Sequence, residues 1–169
     1  MAWAHPLLVV YHGTTANGAA SIKANHVQAK FFNARTDFGA GFYVTTNRAQ
    51  ADGWARHQAR SISIGGTPVQ AAVVEFTIPR EQLGGLLALS FIRPEDAHQD
   101  FWDLILHCRA GNHHALPGSA QGLYDVVYGP VAANWRFRPY TCYQGYDQIS
   151  FHTSAGWNLL TLTQVYILP

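Results

Sequence analysis

The chain has 169 residues, enough for one domain with a substantial core. Eleven basic and ten acidic side chains leave a formal charge of +1, which excludes an electrostatic footprint for bulk nucleic-acid or membrane binding. With 48% hydrophobic and 12% charged residues, it is also not a disordered segment.

The first apolar run, Leu7 to Val10, is too short for a signal-peptide core and has no basic region before it. Nothing approaches the ~18 apolar residues of a membrane span. The expected location is therefore cytoplasmic, in the producing cell or in a target cell that receives the protein. Cys108 and Cys142 offer one disulfide at most and are read as reduced thiols. Five Trp, eight Tyr and nine Phe exceed what a core of this size requires, which suggests that some line a cleft for a planar ligand.

In chain order, Leu7 to Tyr11 reads as a buried strand that ends at His12-Gly13-Thr14-Thr15, and residues 19 to 24 as a short helix. Residues 30 to 36 form a loop. Gly39 and Gly41 then permit a tight backbone path. Phe42 to Thr45 is a short strand of aromatic and β-branched residues. Thr46 or Asn47 caps a helix through Ala49, Ala51, Trp54 and Ala55, ended by Gly65-Gly66 and Pro68. Val69 to Ile78 alternates as a long strand with Val69, Ala71, Val73 and Glu75 on one face, stopped by Pro79.

Leu86 to Ile92 is a further apolar strand. Pro94 opens a helix whose Phe101, Ile105 and Cys108 share a face. After a loop over residues 111 to 121, Tyr124 to Tyr128 is a strand closed by Gly129-Pro130. Gln148 to His152 is another strand, with a helical turn and a last strand near Val165 to Leu168 beyond it. Strands with interspersed helices, without regular βαβ alternation, predict a single α+β domain over residues 1–169.

Three of these pieces carry a resemblance. His12-Gly13-Thr14 at a strand end, Gly41-Phe42-Tyr43-Val44-Thr45, and a strand opening with Gln148 follow the order of the His–Tyr–Glu class of ADP-ribosyltransferases. That class includes diphtheria toxin and the poly(ADP-ribose) polymerases. The chain is more closely similar to an uncharacterised bacterial branch. That branch has a Tyr-His-Gly start, a Phe-Gly-x-Gly-Phe-Tyr-x-Thr-Thr centre with a Trp-Ala helix, an Asp-Val-Val-x-Gly-Pro strand and a Gln-Ile-Ser-Phe-His-Thr segment. The resemblance runs from Tyr11 to Thr153.

It implies two packed, mostly antiparallel sheets with a few helices, and NAD bound in a cleft between them as substrate, with no metal. His12, Tyr43 and Gln148 become the catalytic candidates. His12 would bond a ribose hydroxyl of the adenosine half, Gly13 the nicotinamide carboxamide, and Tyr43 would lie against the nicotinamide ring. Trp54, eleven positions later, would close the other side. Thr14, Phe38, Gly41 and Phe42 fall within the same motifs and are carried as NAD contacts, and Arg35 as a pyrophosphate contact. The same residues also read blandly: His12 as a tie between strands, Trp54 as a core residue on the strand-facing side of its helix, Arg35 as a solvated loop residue.

NAD cleavage at the nicotinamide–ribose bond passes through an oxocarbenium-like state, so the protein must hold, flank and stabilise a developing cation. Where the class has glutamate, this chain has Gln148, which accepts a hydrogen bond through its carbonyl oxygen but supplies no charge. Chain extension in the family relies on that glutamate, so poly(ADP-ribose) synthesis is not expected. Gln148→Glu is expected to favour the oxocarbenium.

Asp147 points to the opposite face, and Asp125 reads as a strand-end hydrogen-bonding residue. The expected activity is mono-ADP-ribosyl transfer by a bacterial toxin, effector or defence enzyme. NAD glycohydrolysis, or a non-catalytic NAD- or ADP-ribose-binding module, is the alternative. A protein or small-molecule acceptor is favoured over nucleic acid, and an antitoxin or immunity protein is a conceivable partner. His107-Cys108, His113-His114 and Cys142 fit no common zinc spacing. Gly39-Ala40-Gly41 precedes its strand and is no dinucleotide fingerprint.

Overall fold

The computed structural model describes residues 5–63, 67–92, 99–115 and 122–169. It is α+β, with two mostly antiparallel sheets and five helices among those residues. The backbone divides into two compact units, each assembled from separated segments. One unit is Met1–Gln28, Val44–Gly85 and Asn158–Pro169; the other is Ala29–Tyr43 and Leu86–Trp157. No helix among the described residues is long and apolar enough to cross a membrane.

The first unit is a three-stranded antiparallel sheet in the order β1-β3-β7, formed by β1 (Leu7–Thr15), β3 (Ala71–Pro79) and β7 (Thr161–Ile167). Strand β1 runs on through the His12-Gly13-Thr14-Thr15 segment expected to end it, because every residue to Thr15 finds a partner on β3. The Thr15 hydroxyl then accepts from the Gly18 amide at 3.2 Å and caps α1 (Ala16–Asn25).

Helix α2 (Arg48–Ser63) starts after Asn47, whose side-chain oxygen accepts from Gln50 N at 3.2 Å, as the capping argument requires. Its buried stripe is Ala51, Ala55 and Ala59, at the i, i+4 spacing of one helical face. These alanines pack with Ala71, Val73 and Leu168 into a small-residue core. The first four residues of β3 are buried on both faces, not in the alternating pattern expected. A short helix, α3 (Arg80–Gly84), follows it. Gly65 and Gly66 lie outside the described residues.

The second unit is a four-stranded sheet in the order β2-β6-β5-β4. Its strands are β2 (Phe42–Val44), β4 (Ala88–Ser90), β5 (Val126–Asn134) and β6 (Thr141–Phe151). The β4–β5 pair is parallel and β5–β6 antiparallel. Helix α4 (Gln99–Arg109) buries Phe101, Ile105 and Cys108 on one face as its spacing predicts, with Trp102 beside them. Pro94 lies outside the described residues, as does 116–121 of the loop after α4.

Gly129-Pro130 does not close β5. The strand passes through Pro130 and shifts register between Pro130 and Ala132, an irregularity that accommodates a residue without an N–H. Strand β6 starts seven residues before the expected Gln148, at Thr141. A one-turn helix, α5 (Ser154–Trp157), follows it. Phe38, Phe101, Trp102, Ile105, Val127 and Ala132 form this unit's core.

Candidate functional site

In the second unit the site is built around a carboxylate that the sequence reading passed over. Asp37 precedes β2 in a turn and is 2% exposed. A buried carboxylate is tolerated only when its lone pairs are filled and its charge is matched. Both conditions hold. Oδ1 accepts from Arg109 Nε at 2.8 Å and from the same guanidinium's Nη2 at 2.5 Å. Oδ2 accepts from the Ala132 amide at 2.9 Å and from Gln148 Nε2 at 2.7 Å. Arg109 is the last residue of α4, Ala132 sits at the β5 irregularity and Gln148 lies on β6, so one carboxylate ties a helix and two strands to the turn.

Gln148 itself is 8% exposed. Its Nε2 donates to the Pro130 carbonyl at 2.9 Å as well as to Asp37. Both partners are acceptors, so the amide nitrogen must face them and the orientation of the group is fixed by chemistry. The carbonyl Oε1 carries no protein hydrogen bond among the described residues. It is thus a pre-oriented acceptor.

Tyr43 holds the turn that holds Asp37. Its hydroxyl accepts from the Phe38 amide at 2.9 Å and from the Thr36 hydroxyl at 2.7 Å, and donates to the Gly39 carbonyl at 2.8 Å. Burial pushes its pKa upward, so the phenol stays protonated and is no general base. The ring lies near Phe38, with centroids 6.5 Å apart and planes 16° off parallel, and edge-on to His152.

His152 and Ser150 complete this layer. The Ala40 carbonyl can only accept, so His152 Nδ1 carries the proton toward it at 2.8 Å, and Nε2 accepts from the Ser150 hydroxyl at 2.7 Å. Burial, and secondarily the neighbouring His114, hold His152 down at about 4, so it is neutral. Gly41 is glycine for a steric reason: a Cβ there would sit 2.8 Å from the His152 ring and 3.0 Å from the Phe151 carbonyl oxygen. Ser150 has no exposed surface and its hydroxyl proton is given to His152, so it is a buried link to that ring, not a nucleophile.

The remaining candidates divide clearly. Phe38 has no exposed surface, lies nearly parallel to Phe91 and edge-on to Phe101, and belongs to the core. Phe42 is 7% exposed. Arg35 is an exposed loop residue whose carbonyl accepts from Arg109 Nη1 at 3.2 Å. Asp125 acts as the sequence suggested, accepting from the Leu87 amide at 3.0 Å and from the Thr153 hydroxyl. Cys108 and Cys142 are free thiols whose pKa burial, with Asp37 nearby, pushes up to about 11. Neither is an activated nucleophile.

In the first unit, His12 is half-buried on β1 opposite Val74, and Thr14 is 8% exposed opposite Ala72. Gly13 lies where α2 crosses the sheet; a Cβ would stand 2.3 Å from the Ala51 carbonyl oxygen. Trp54 is 54% exposed, with its ring 5.5 Å from that of His57. This corrects the reading of Trp54 as a core residue: the alanine stripe takes the buried side of α2 and leaves the Trp54 ring exposed.

A family model described as protein of unknown function, DUF3990, matches residues 8–162. The chain belongs to the DUF3990 family. Among curated proteins, none matches it. The matched range takes in every candidate site residue of the DUF3990 chain, from His12 to Gln148, and the Asp37–Arg109 pair.

Sequence reasoning missed Asp37, Arg109 and His152 as organising residues. The available signal was weak but real. An aspartate directly before a Phe-Gly-x-Gly turn, in a chain with only ten acidic residues, is a candidate buried anion that must find a cation. The partner, 72 residues away, has no local signature.

Proposed function

We propose that the chain is an NAD-dependent mono-ADP-ribosyltransferase, acting as a bacterial toxin, effector or defence enzyme. In this reading the nicotinamide leaves with the electron pair of its bond to ribose. An acceptor nucleophile then takes the ribosyl carbon and gives up its proton. His12 bonds a ribose hydroxyl of the adenosine half, Gly13 meets the carboxamide, and Tyr43 supports the nicotinamide ring. Gln148 Oε1 accepts from a hydroxyl of the reacting ribose.

The observation that carries the reading is Gln148: buried on β6, with its amide nitrogen committed to two acceptors and its carbonyl oxygen left as an oriented acceptor. The motif order along β1, β2 and β6 and the two mostly antiparallel sheets agree with an ADP-ribosyltransferase fold. The neutral amide also supports a second reading, a binding module for NAD or ADP-ribose, because it brings no charge to the developing cation.

Nicotinamide release separates the two. A transferase releases it, and Gln148→Ala slows release by roughly ten- to a hundredfold while NAD affinity changes little. A binding module releases none in either form.

A further inference from the structure

The Gln148 amide is held by a carboxylate, and this has a consequence for what position 148 can be. The carboxylate of Asp37 and the carbonyl of Pro130 present two acceptors to one end of the side chain, at 2.7 and 2.9 Å. Only a donor satisfies them. We infer that Asp37 is a positioning residue that locks the Gln148 amide with Oε1 toward substrate, and that it makes glutamine, not glutamate, the functional residue at this position. The inference rests on the proposed transfer reaction for the word substrate, and on geometry alone for the lock.

The consequence runs against the expectation drawn from sequence. Glutamate at 148 would set a carboxylate against the buried Asp37 carboxylate and the Pro130 carbonyl. Two carboxylates sharing one site cannot both ionise, so the pair would retain a proton. Arg109 is already committed to Asp37 Oδ1 and to the Arg35 carbonyl, so it does not relieve the contact at Oδ2. Gln148→Glu is therefore a loss, not a gain, while Asp37 is present.

Asp37→Asn alters the terms. The substituted amide can keep an oxygen toward Arg109 and turn a donor toward position 148, at the expense of the Ala132 amide. Gln148 then stands between the new donor and the Pro130 carbonyl, which still calls for a donor, so its amide loses a single orientation and Oε1 is no longer fixed toward substrate. Glutamate introduced at 148 in the same background accepts from that amide with one oxygen and leaves the other for substrate, so the repulsion from Asp37 is relieved and only that from the Pro130 carbonyl remains.

The test compares the wild type, Gln148→Glu, Asp37→Asn and the double variant in two measurements: thermal unfolding from about pH 5 to about pH 8, and nicotinamide release with NAD. A shared proton means a raised carboxyl pKa, so stability is retained at low pH and lost as pH rises. Gln148→Glu should thus melt progressively below the wild type as pH rises, and the deficit should shrink or vanish in the double variant. Folding at about pH 5 but not at about pH 8 would be the extreme of this result.

On release, Asp37→Asn should lower kcat by about tenfold or more with KM for NAD nearly unchanged, and adding Gln148→Glu should restore part of it. A Gln148→Glu protein that melts like the wild type at every pH, or an Asp37→Asn protein with wild-type turnover, overturns the inference. A wild type that neither binds nor cleaves NAD overturns the transferase reading instead, and the melting comparison still decides the lock. That comparison between wild type and Gln148→Glu stands even if Asp37→Asn does not fold.

Discussion

The two units solve the burial problem in opposite ways. The first closes a helix onto a sheet with alanines, a glycine and Val73, and the polar side chains buried in it are the uncharged Thr14, Thr15 and Thr45. The second fills its core with aromatic rings and threads a polar network through them: Asp37, Gln148, Ser150 and His152 are all buried there. A small-residue core fixes distance, since Gly13 and Ala51 let two backbones approach closely. A polar core fixes orientation, since each donor must find an acceptor. The second unit is therefore where a side chain such as Gln148 can be aimed.

The comparison breaks most visibly at Arg109. Arg109→Met keeps much of the apolar stem but leaves the Asp37 carboxylate without its cation, and removing one partner of a buried pair costs about 3 kcal/mol or more. Chemical denaturation should show that loss. A variant as stable as the wild type would mean that the Ala132 and Gln148 donors alone satisfy Asp37.

Acid sharpens it next. His152 is held at about 4 against an ordinary value of 6.5, so the unfolded chain binds its proton first. That contribution is fully present above about 6.5 and disappears as pH falls toward 4, amounting to about 3 kcal/mol over the window. Around the ring, burial and the neighbouring histidines lower the value, and the Ala40 carbonyl bond, which opposes them, is outweighed. His114, also lowered by burial, adds to the loss, while Ser150 and the protonated Tyr43 carry no charge. Stability measured by denaturant at stepped pH should fall over this range; a flat profile contradicts a buried neutral imidazole.

The smallest effect belongs to the first unit. Gly13→Ala forces a methyl against the Ala51 carbonyl oxygen and should cost about 1–3 kcal/mol through displacement of α2. Because the clash is steric, that cost should not vary with pH. A pH-dependent penalty would show that His12 or another titrating neighbour is disturbed as well.

Much of this fold is legible in sequence because its signals are local. The Asn47 cap, the 101/105/108 face of α4 and the strand-end role of Asp125 all follow from residue type and spacing. What is not legible depends on contacts distant in sequence. Trp54 reads as a packed aromatic on an amphipathic helix, yet alanines on the neighbouring face take the buried position, because close approach to β1 at Gly13 excludes anything larger. Gly41 reads as a close approach that a Cβ would forbid, but that the approaching group is the His152 ring, 111 residues later, is not legible. Gln148 reads as a polar site residue, but the carboxylate that its amide nitrogen meets lies 111 residues earlier and no pattern links them.

The central claim, that Gln148 presents an oriented acceptor to the reacting ribose of NAD, is tested most directly by nicotinamide release from the purified chain. The assay is run with and without cell lysate as acceptor, beside Gln148→Ala. The account predicts release by the wild type, faster with lysate, and roughly ten- to a hundredfold slower release by the variant at similar NAD affinity. A folded wild type that releases no nicotinamide under either condition, or a Gln148→Ala protein as fast as the wild type, would contradict it.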